Sequence, residues 1–255
     1  TVDVAARVDA VLEGHVLPGF EALAAEGAQF AEVAQGTCDP ADPAMLEAYG
    51  RAFDAWTRVS HMRIGPTEDD NRGVALAFWP DARGTTQKTL SGMIASEDPV
   101  VGDAEEFPTV SVAVRGFYAL EFLLYDDAMQ AQGTPEYRCA LTQAIARDIG
   151  SVTGALLEDW QAFAEEMRNP GADGFFRTDE EAAKDLFGAL STGLQFTSEA
   201  RLGRPLGTFD RPRPLRAEAR RSGRSLRHVA LSLESTKEMA LLFAAPETPL
   251  AAEDE

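Results

Sequence analysis

The sequence predicts an all-helical protein. In several long segments, apolar residues recur with the three- and four-residue spacing of an amphipathic helix. Proline, glycine and capping residues mark the ends of these segments, and the alternation that is typical of strands is sustained nowhere in the sequence. With 255 residues, the chain can form one large domain or two small ones around a substantial core.

The first predicted helix spans Val4 to Ala34 and bends near Pro18 and Gly19. His15 lies on its apolar face, before the proline, so we expect the ring to point toward the core. Two interpretations remain open. The ring either belongs to a core histidine that is hydrogen-bonded to a carboxylate or a carbonyl, or it forms part of a functional site.

The second predicted helix has the clearest boundaries. Asp42 is a good N-cap residue, Pro43 suits the first helical position, and an apolar stripe then continues toward Gly65. His61 lies near the end of this helix, off the apolar stripe. We therefore expect His61 at the surface or as a partner of the C-terminal helix dipole.

The loop over residues 77–84 has the composition of a binding loop. Trp79, Asp81 and Arg83 lie there among proline and glycine residues that interrupt regular structure. Such loops frequently bind ligands, because a rigid scaffold can present them. Asp81 could equally cap the short helix that is predicted from Thr85 to Glu97, with Trp79 packed nearby.

The stretch from Val110 to Tyr125 is predicted to be a helix that is buried on nearly all sides, because it is almost entirely apolar. Polar side chains nevertheless recur along one side, at positions Arg115, Tyr118, Glu121 and Tyr125. A buried carboxylate is costly unless it is paired, hydrogen-bonded or bound to a cation. Glu121 therefore requires a partner, which could be an arginine, a tyrosine hydroxyl or a metal ion. Gly116 would allow another backbone or a ligand to come close.

The second half of the chain also follows the helical period. A long helix is predicted from Thr134 to Asn169, and a capping box of Thr178 and Glu181 begins another. A final helix is predicted from about Pro214 to Ala245, and the tail over residues 246–255 is predicted to be disordered.

The segment from Arg201 to His228 differs in composition from the rest of the chain. It contains nine arginines and no lysine, against two acidic residues, Asp210 and Glu218. Arginine forms bidentate pairs with carboxylates and other anions and tolerates burial better than lysine does. The segment could pair with acidic helices of the same chain, or it could supply arginines to a binding site.

Overall charge restricts the possible partners. The formal charge is −19, from 42 acidic and 23 basic residues. This excess of acid argues against a nucleic-acid partner, which needs a basic face, and disfavours an acidic membrane surface for the same reason. The sequence also has no apolar run of the length that a membrane-spanning helix needs.

Cys38 and Cys139 are the only cysteines, which excludes a structural zinc site built from cysteines. In an oxidising compartment they could form one disulfide, which would close a loop of about 100 residues and contribute roughly 4–5 kcal/mol on a chain-entropy estimate. In the cytosol they would be ordinary buried thiols. Composition alone does not decide between the two.

Several short motifs occur in an order that resembles the imelysin-like family, a group of bacterial envelope proteins that includes an insulin-cleaving protease and iron-regulated uptake proteins. The central stretch resembles the family signature G-x-H-x-x-E, with Gly116 and Glu121 in place and Tyr118 at the histidine position. The other matching motifs are H-V-L-P at 15–18, W-P-D at 79–81, R-L-G-R-P-L-G at 201–207 and R-S-G-R-S-L at 221–226. The resemblance covers most of the chain.

The resemblance implies two packed helical bundles with a cleft between them. We assign residues 1–128 to the first bundle, which carries the central motif, and residues 129–255 to the second. The resemblance also places the chain in the periplasm, as a mature form without its signal peptide, and so favours the Cys38–Cys139 disulfide. The site residues that it implies are His15, Trp79, Asp81, Arg83, Tyr118, Glu121, Arg201, Ser222, Arg224 and Ser225. The polar stripe of the central helix adds Arg115 to the candidate site.

The same resemblance implies a protein of iron acquisition that binds a metal, a small chelate or an uptake component in the cleft. Tyr118 and Glu121 are the candidate metal ligands, and their oxygens suit ferric iron better than zinc. One alternative is a zinc metallopeptidase, which the sequence disfavours because zinc needs at least three protein ligands and a neutral phenol binds it poorly. Another is an interaction module that binds no metal.

Overall fold

The computed structural model describes residues 3–244, and these residues form an all-helical fold, as predicted. Within this range the only β pairing is an isolated bridge between Thr208 and Arg211. The predicted tail, residues 246–255, lies outside the described residues, as does Ala245.

The first half of the chain contains α1 (Val4–Val11), α2 (Leu17–Gly36), α3 (Pro43–Val59), α4 (Arg72–Leu76), α5 (Thr85–Ser96), α6 (Gly116–Tyr125) and α7 (Asp127–Gln130). The second half contains α8 (Pro135–Arg168), α9 (Asp179–Phe196), α10 (Arg204–Leu206) and α11 (Ser225–Ala244). Two predicted N-caps are confirmed, because the side chains of Asp42 and Thr178 accept hydrogen bonds from the first turns of α3 and α9. Thr134 caps α8 in the same way.

The helices pack in two groups that share the long first helix. In one group α2 packs against both α3 and α8, with the Phe20 and Trp160 rings stacked 5.0 Å apart at the centre. In the other, α1 packs against α9 and α11. This arrangement agrees with the predicted pair of bundles. The division at residues 128 and 129, and a cleft between the bundles, stay predictions.

The first long helix is continuous, but its irregularity differs from the predicted bend. Residues Leu12–Val16 form a π-helical turn between α1 and α2, immediately before Pro18. Proline has no amide hydrogen for the carbonyl one turn earlier, which removes a bond from the regular ladder there. His15 lies inside this wider turn.

Two other helices are shorter than predicted. The central helix begins at Gly116 and not at Val110, because residues Val112–Val114 form a 3₁₀ turn and Arg115 is extended. The last helix begins at Ser225 and not near Pro214, because Ala219 adopts a left-handed conformation with φ of 45°. The later starts of these two helices determine where the polar side chains of both segments lie.

The Cys38–Cys139 disulfide is confirmed. It joins the loop after α2 to the first turns of α8, with the two Cα atoms 5.2 Å apart, within the range that a disulfide requires. The bridge therefore fastens together the two helices that pack most extensively. Within residues 3–244, no helix is long and apolar enough to span a bilayer.

Candidate functional site

A cavity of about 400 Å³ lies against the side of α6 that carries Tyr118, Glu121 and Phe122. The loop before α5 and the arginine-rich segment after α10 form its other walls. Its aromatic rings are Phe78, Trp79, Tyr118 and Phe122, and its carboxylates are Asp81 and Glu121. Its arginines are Arg204, Arg216, Arg220 and Arg221. The cavity therefore combines apolar surface with an excess of positive charge.

Gly116 determines how α6 meets this cavity. Its φ is +72°, and a Cβ atom built on it would lie 2.2 Å from the Leu76 carbonyl oxygen and 2.3 Å from that of Ala75. Only glycine fits this backbone approach, which the sequence had suggested. Because α6 starts here, Tyr118 and Glu121 lie one turn apart on its cavity side.

Arg115 does not join them, although it was predicted on the same stripe. It precedes α6 in an extended conformation, and its guanidinium forms a bidentate pair with Asp148 at 2.8 and 2.9 Å. A third bond, of 2.8 Å, goes to the Pro108 carbonyl. Arg115 therefore ties the start of α6 to α8.

Glu121 is buried, and a hydrogen-bonded turn satisfies one of its two oxygens. Its Oε1 atom accepts hydrogen bonds from the backbone N–H of Ser222 at 2.9 Å and from the Ser222 hydroxyl at 2.7 Å. These bonds hold the arginine-rich segment over α6. Ser222, one of the predicted site residues, thus positions the wall that carries Arg220 and Arg221.

Tyr118 donates its hydroxyl hydrogen bond to Glu218, which the sequence analysis did not select as a site residue. The other oxygen of Glu218 accepts a 2.7 Å bond from Arg201 Nε and lies 3.4 Å from Nδ1 of His228. Arg201 and Glu218 are both at most 5% exposed in their side chains. Ser225 joins this buried polar group through a hydrogen bond to the Glu218 carbonyl.

The charges in this group have opposite effects on two pKa values. Burial and then the Glu218 charge raise the pKa of Tyr118 well above its usual value of 10. Burial alone would raise the pKa of Glu218, but interactions with His228 and Arg201 lower it to about 2. At neutral pH the group therefore consists of a phenol hydrogen-bonded to a carboxylate.

These side chains do not fit a zinc ion. Within residues 3–244, no three histidine, cysteine or acidic side chains come close enough together to hold a metal. Tyr118 is a hydrogen-bond donor to Glu218, and Glu121 Oε1 already accepts two hydrogen bonds. A phenolate ligand would also have to form against the raised pKa of Tyr118.

The predicted binding loop forms the opposite wall of the cavity. The Trp79 ring stacks on Tyr118 with centroids 6.3 Å apart, and the Arg204 guanidinium lies 5.9 Å from the Trp79 ring. Asp81 accepts backbone hydrogen bonds from Thr86 at 2.7 Å and from Arg83 at 3.3 Å, so it caps α5. The Arg83 side chain is exposed and lies outside the cavity wall.

The cavity arginines differ in how they are held. Arg221 pairs with Asp126 at 2.8 Å and lies 3.7 Å from the centre of the Phe122 ring. Arg216 and Arg220 are exposed, and neither takes part in an ion pair within the described residues. These guanidinium groups can bind an incoming anion without first breaking a pair.

Arg224 was also predicted in the site, but it lies elsewhere. It pairs with Asp54 and donates a 2.9 Å hydrogen bond to the Gly50 carbonyl. Asp54 also pairs with Arg227 at 2.7 Å. This cluster connects the arginine-rich segment to α3 and contributes no wall of the cavity.

His15 lies away from the cavity and pairs with a second histidine. Its Nε2 atom is 2.9 Å from Nε2 of His61, and both side chains are buried. The expectation of a surface His61 is therefore wrong, because His61 packs beneath Gly193 of α9. Burial and then Arg58 lower the pKa of His15 to about 4, whereas burial, His15 and Arg201 lower that of His61 to about 3.

We expect this pair to make stability fall as the pH drops from 6.5 toward 4. Both histidines are neutral in the folded state and protonate at about 6.5 when unfolded. The unfolded state then binds more protons, which costs up to about 1.4 kcal/mol per pH unit for each histidine. Urea unfolding across this range should show the slope, and it should be smaller in a His15→Gln/His61→Gln variant. An unchanged slope in the variant would contradict this assignment.

Sequence reasoning missed Glu218 and His228, which complete the buried group around Tyr118. Both lay inside the arginine-rich segment, where Glu218 is one of two acids. Its isolation among nine arginines was the available signal, since one acid in such a segment is a strong candidate for a buried pair. His228 carried no comparable signal, because it was expected within a regular helix.

Comparisons with known proteins agree with the fold. The sequence profile of the imelysin family, a peptidase family designated M75, matches residues 16–253. An imelysin-like protein from Psychrobacter arcticum 273-4 has a similar structure, with a TM-score of 0.75 at 17% sequence identity. The match covers 97% of this chain and 79% of that protein. No curated protein sequence matches.

Proposed function

This chain belongs to the imelysin family, and from that premise we propose that it is a binding protein of iron acquisition whose cavity beside Tyr118 receives an anionic chelate. The observation that carries the proposal is the set of four arginines around a cavity with aromatic walls. Arginine recognises carboxylates and other planar oxygen anions bidentately, and aromatic surface holds the organic part of a chelator.

The hydrogen bonds that Tyr118 and Glu121 already form favour a chelate, and not a bare ferric ion, as the ligand. The Tyr118 hydroxyl and one Glu121 oxygen are engaged in hydrogen bonds within the protein. A bare ferric ion would have to break those bonds and deprotonate Tyr118. A chelate that brings its own oxygen ligands needs only to place negative charge near the arginines.

The role in iron acquisition rests on the resemblance of the ordered motifs to iron-regulated uptake proteins of the family. The periplasmic location is supported by the Cys38–Cys139 disulfide, since such bridges persist in oxidising compartments. We place the proposed cleft at the cavity described above. A metallopeptidase would need a metal site that these donors do not fit, and an interaction module without a ligand would leave the arginine-lined cavity unused.

Removal of two cavity arginines tests the anion site. We expect an Arg216→Met/Arg220→Met variant to bind ferric citrate at least tenfold more weakly, because a hydrogen bond to a charged group contributes about 1.5–3 kcal/mol and about 1.4 kcal/mol corresponds to tenfold. Neither residue forms an ion pair within the described chain, so the fold should be retained. Isothermal titration calorimetry provides the measurement.

Arg177→Met is the matched control, because Arg177 is exposed and does not line the cavity. It should bind ferric citrate as tightly as the unmodified chain. Equal affinities of all three proteins, or no binding by any of them, would contradict the proposed anion site.

A further inference from the structure

A short hairpin after α10 projects into solvent. Two backbone hydrogen bonds join Thr208 and Arg211, at 2.9 and 3.3 Å, and a third, of 2.8 Å, closes the base between Arg213 N–H and the Pro205 carbonyl. Every residue from 206 to 216 is exposed. We call residues 205–216 the basic hairpin.

Backbone constraints give the basic hairpin a defined shape. Gly207 has a φ of +61°, and a Cβ atom there would lie only 2.4 Å from the Arg211 carbonyl oxygen. Pro212 and Pro214 restrict the returning strand. The backbone of the basic hairpin therefore has a defined conformation, although its side chains from 206 to 216 are exposed.

Three large apolar side chains are exposed on this hairpin. Phe209 lies in the two-residue tip and is 103% exposed, so it retains essentially no shielding by the folded chain. Leu206 is 65% and Leu215 is 77% exposed. Single exposed apolar residues are common, but here three of them lie on one short projecting segment.

Positive charge surrounds these apolar side chains. Arg211, Arg213 and Arg216 line one shallow concavity together with Asp210, the only acid of the hairpin. Within the described residues, none of these three arginines forms an ion pair. The hairpin thus carries a net positive charge, although the whole chain has a formal charge of −19.

We propose that the basic hairpin docks on an anionic lipid surface, with Phe209, Leu206 and Leu215 entering the interface and the arginines lying against the headgroups. Apolar side chains flanked by basic ones suit the boundary between lipid headgroups and acyl chains. A convex tip fits a fluid surface, which needs no preformed pocket, better than it fits a shaped protein groove. Salt screens charges over about 10 Å at 0.1 M, so a projecting basic element can act locally despite the acidic remainder.

The docking surface and the cavity share two residues, Leu215 and Arg216, which line the cavity. Phe209, Arg211 and Arg213 do not line it. Tip variants can therefore test lipid docking without altering the proposed anion site.

Cosedimentation with vesicles tests the proposal. The unmodified chain should bind vesicles of phosphatidylglycerol and phosphatidylcholine, and should bind phosphatidylcholine vesicles at least tenfold more weakly. Phe209→Asp should weaken binding to the anionic vesicles at least tenfold, since a whole aromatic side chain no longer enters the apolar layer. Because Phe209 contacts almost nothing, this variant should fold normally.

Phe187→Asp provides the control, because Phe187 is 60% exposed on α9, outside the hairpin. It should retain vesicle binding, and Arg211→Ala/Arg213→Ala should lose it. A Phe209→Trp variant should show a blue-shifted emission when anionic vesicles are added. Absence of vesicle binding by the unmodified chain, or binding that Phe209→Asp leaves unchanged, would overturn the proposal. Ferric citrate binding by Phe209→Asp should stay unaltered, which separates this test from that of the cavity.

Discussion

Replacing Glu218 with glutamine is expected to lower the free energy of unfolding by about 3–5 kcal/mol at neutral pH, because it leaves the buried Arg201 charge without its partner. The Glu218→Gln change keeps the size of the side chain, removes the charge and replaces one of the two acceptor oxygens with an NH2 group. Arg201 Nε is 2.7 Å from Glu218. Its other hydrogen bonds go to the neutral hydroxyl groups of Thr197 and Ser60. Urea unfolding followed by circular dichroism gives the comparison.

A double-mutant cycle distinguishes the lost pair from a general packing defect. Combining Glu218→Gln with Arg201→Met should restore much of the lost stability, since neither buried charge then remains. Glu234→Gln is the surface control, because Glu234 pairs with Arg58 at 3.0 Å and is 56% exposed. It should change stability by less than about 1 kcal/mol. Additive losses in the cycle would contradict the proposed energetic coupling.

Removing the disulfide is expected to cost a similar amount. The sequence separation between Cys38 and Cys139 is 101 residues, and the chain-entropy estimate for a loop of about 100 residues is roughly 4.7 kcal/mol. A Cys38→Ser/Cys139→Ser variant should therefore unfold at a much lower urea concentration. Thiol titration of the denatured, unreduced wild-type protein should detect no free thiol.

Reduction of the wild-type protein supplies the control for the serine substitutions. The reduced protein should unfold at the same urea concentration as the double variant, since both lack the same cross-link. Two free thiols in the unreduced protein, or equal stability with and without the bridge, would contradict the role assigned to it.

The helices themselves could be predicted because their signals are local. Asp42 and Thr178 are caps that act within one turn of the chain, and the structure confirms both. The cysteine pairing needed more than local information. It was expected only once the resemblance had indicated an oxidising compartment.

The polar stripe on α6 was predicted only in part, because the backbone conformation of one residue determines which of its neighbours belong to the helix. The positive φ of Gly116 starts the helix there and leaves Arg115 extended, beside Asp148. In the same way, the left-handed Ala219 stops a helix that periodicity would have continued. Neither conformation follows from hydrophobic spacing.

Pairings between distant residues were the least predictable part of the site. Tyr118 and Glu218 are separated by 100 positions, and His15 and His61 by 46. Sequence patterns had placed Tyr118 and His15 inside the protein but did not identify their partners. Only the packing of the helices brings these partners together.

Metal analysis after dialysis tests the central proposal most directly. The unmodified chain should retain iron and citrate together when it is incubated with ferric citrate, and it should retain no zinc from a zinc chloride solution. Arg216→Met/Arg220→Met should lose the iron and the citrate in parallel, because the arginines bind the chelator's carboxylates and not the metal. Stoichiometric zinc in the unmodified protein together with cleavage of a protein substrate, or iron that is retained without citrate, would contradict the proposal.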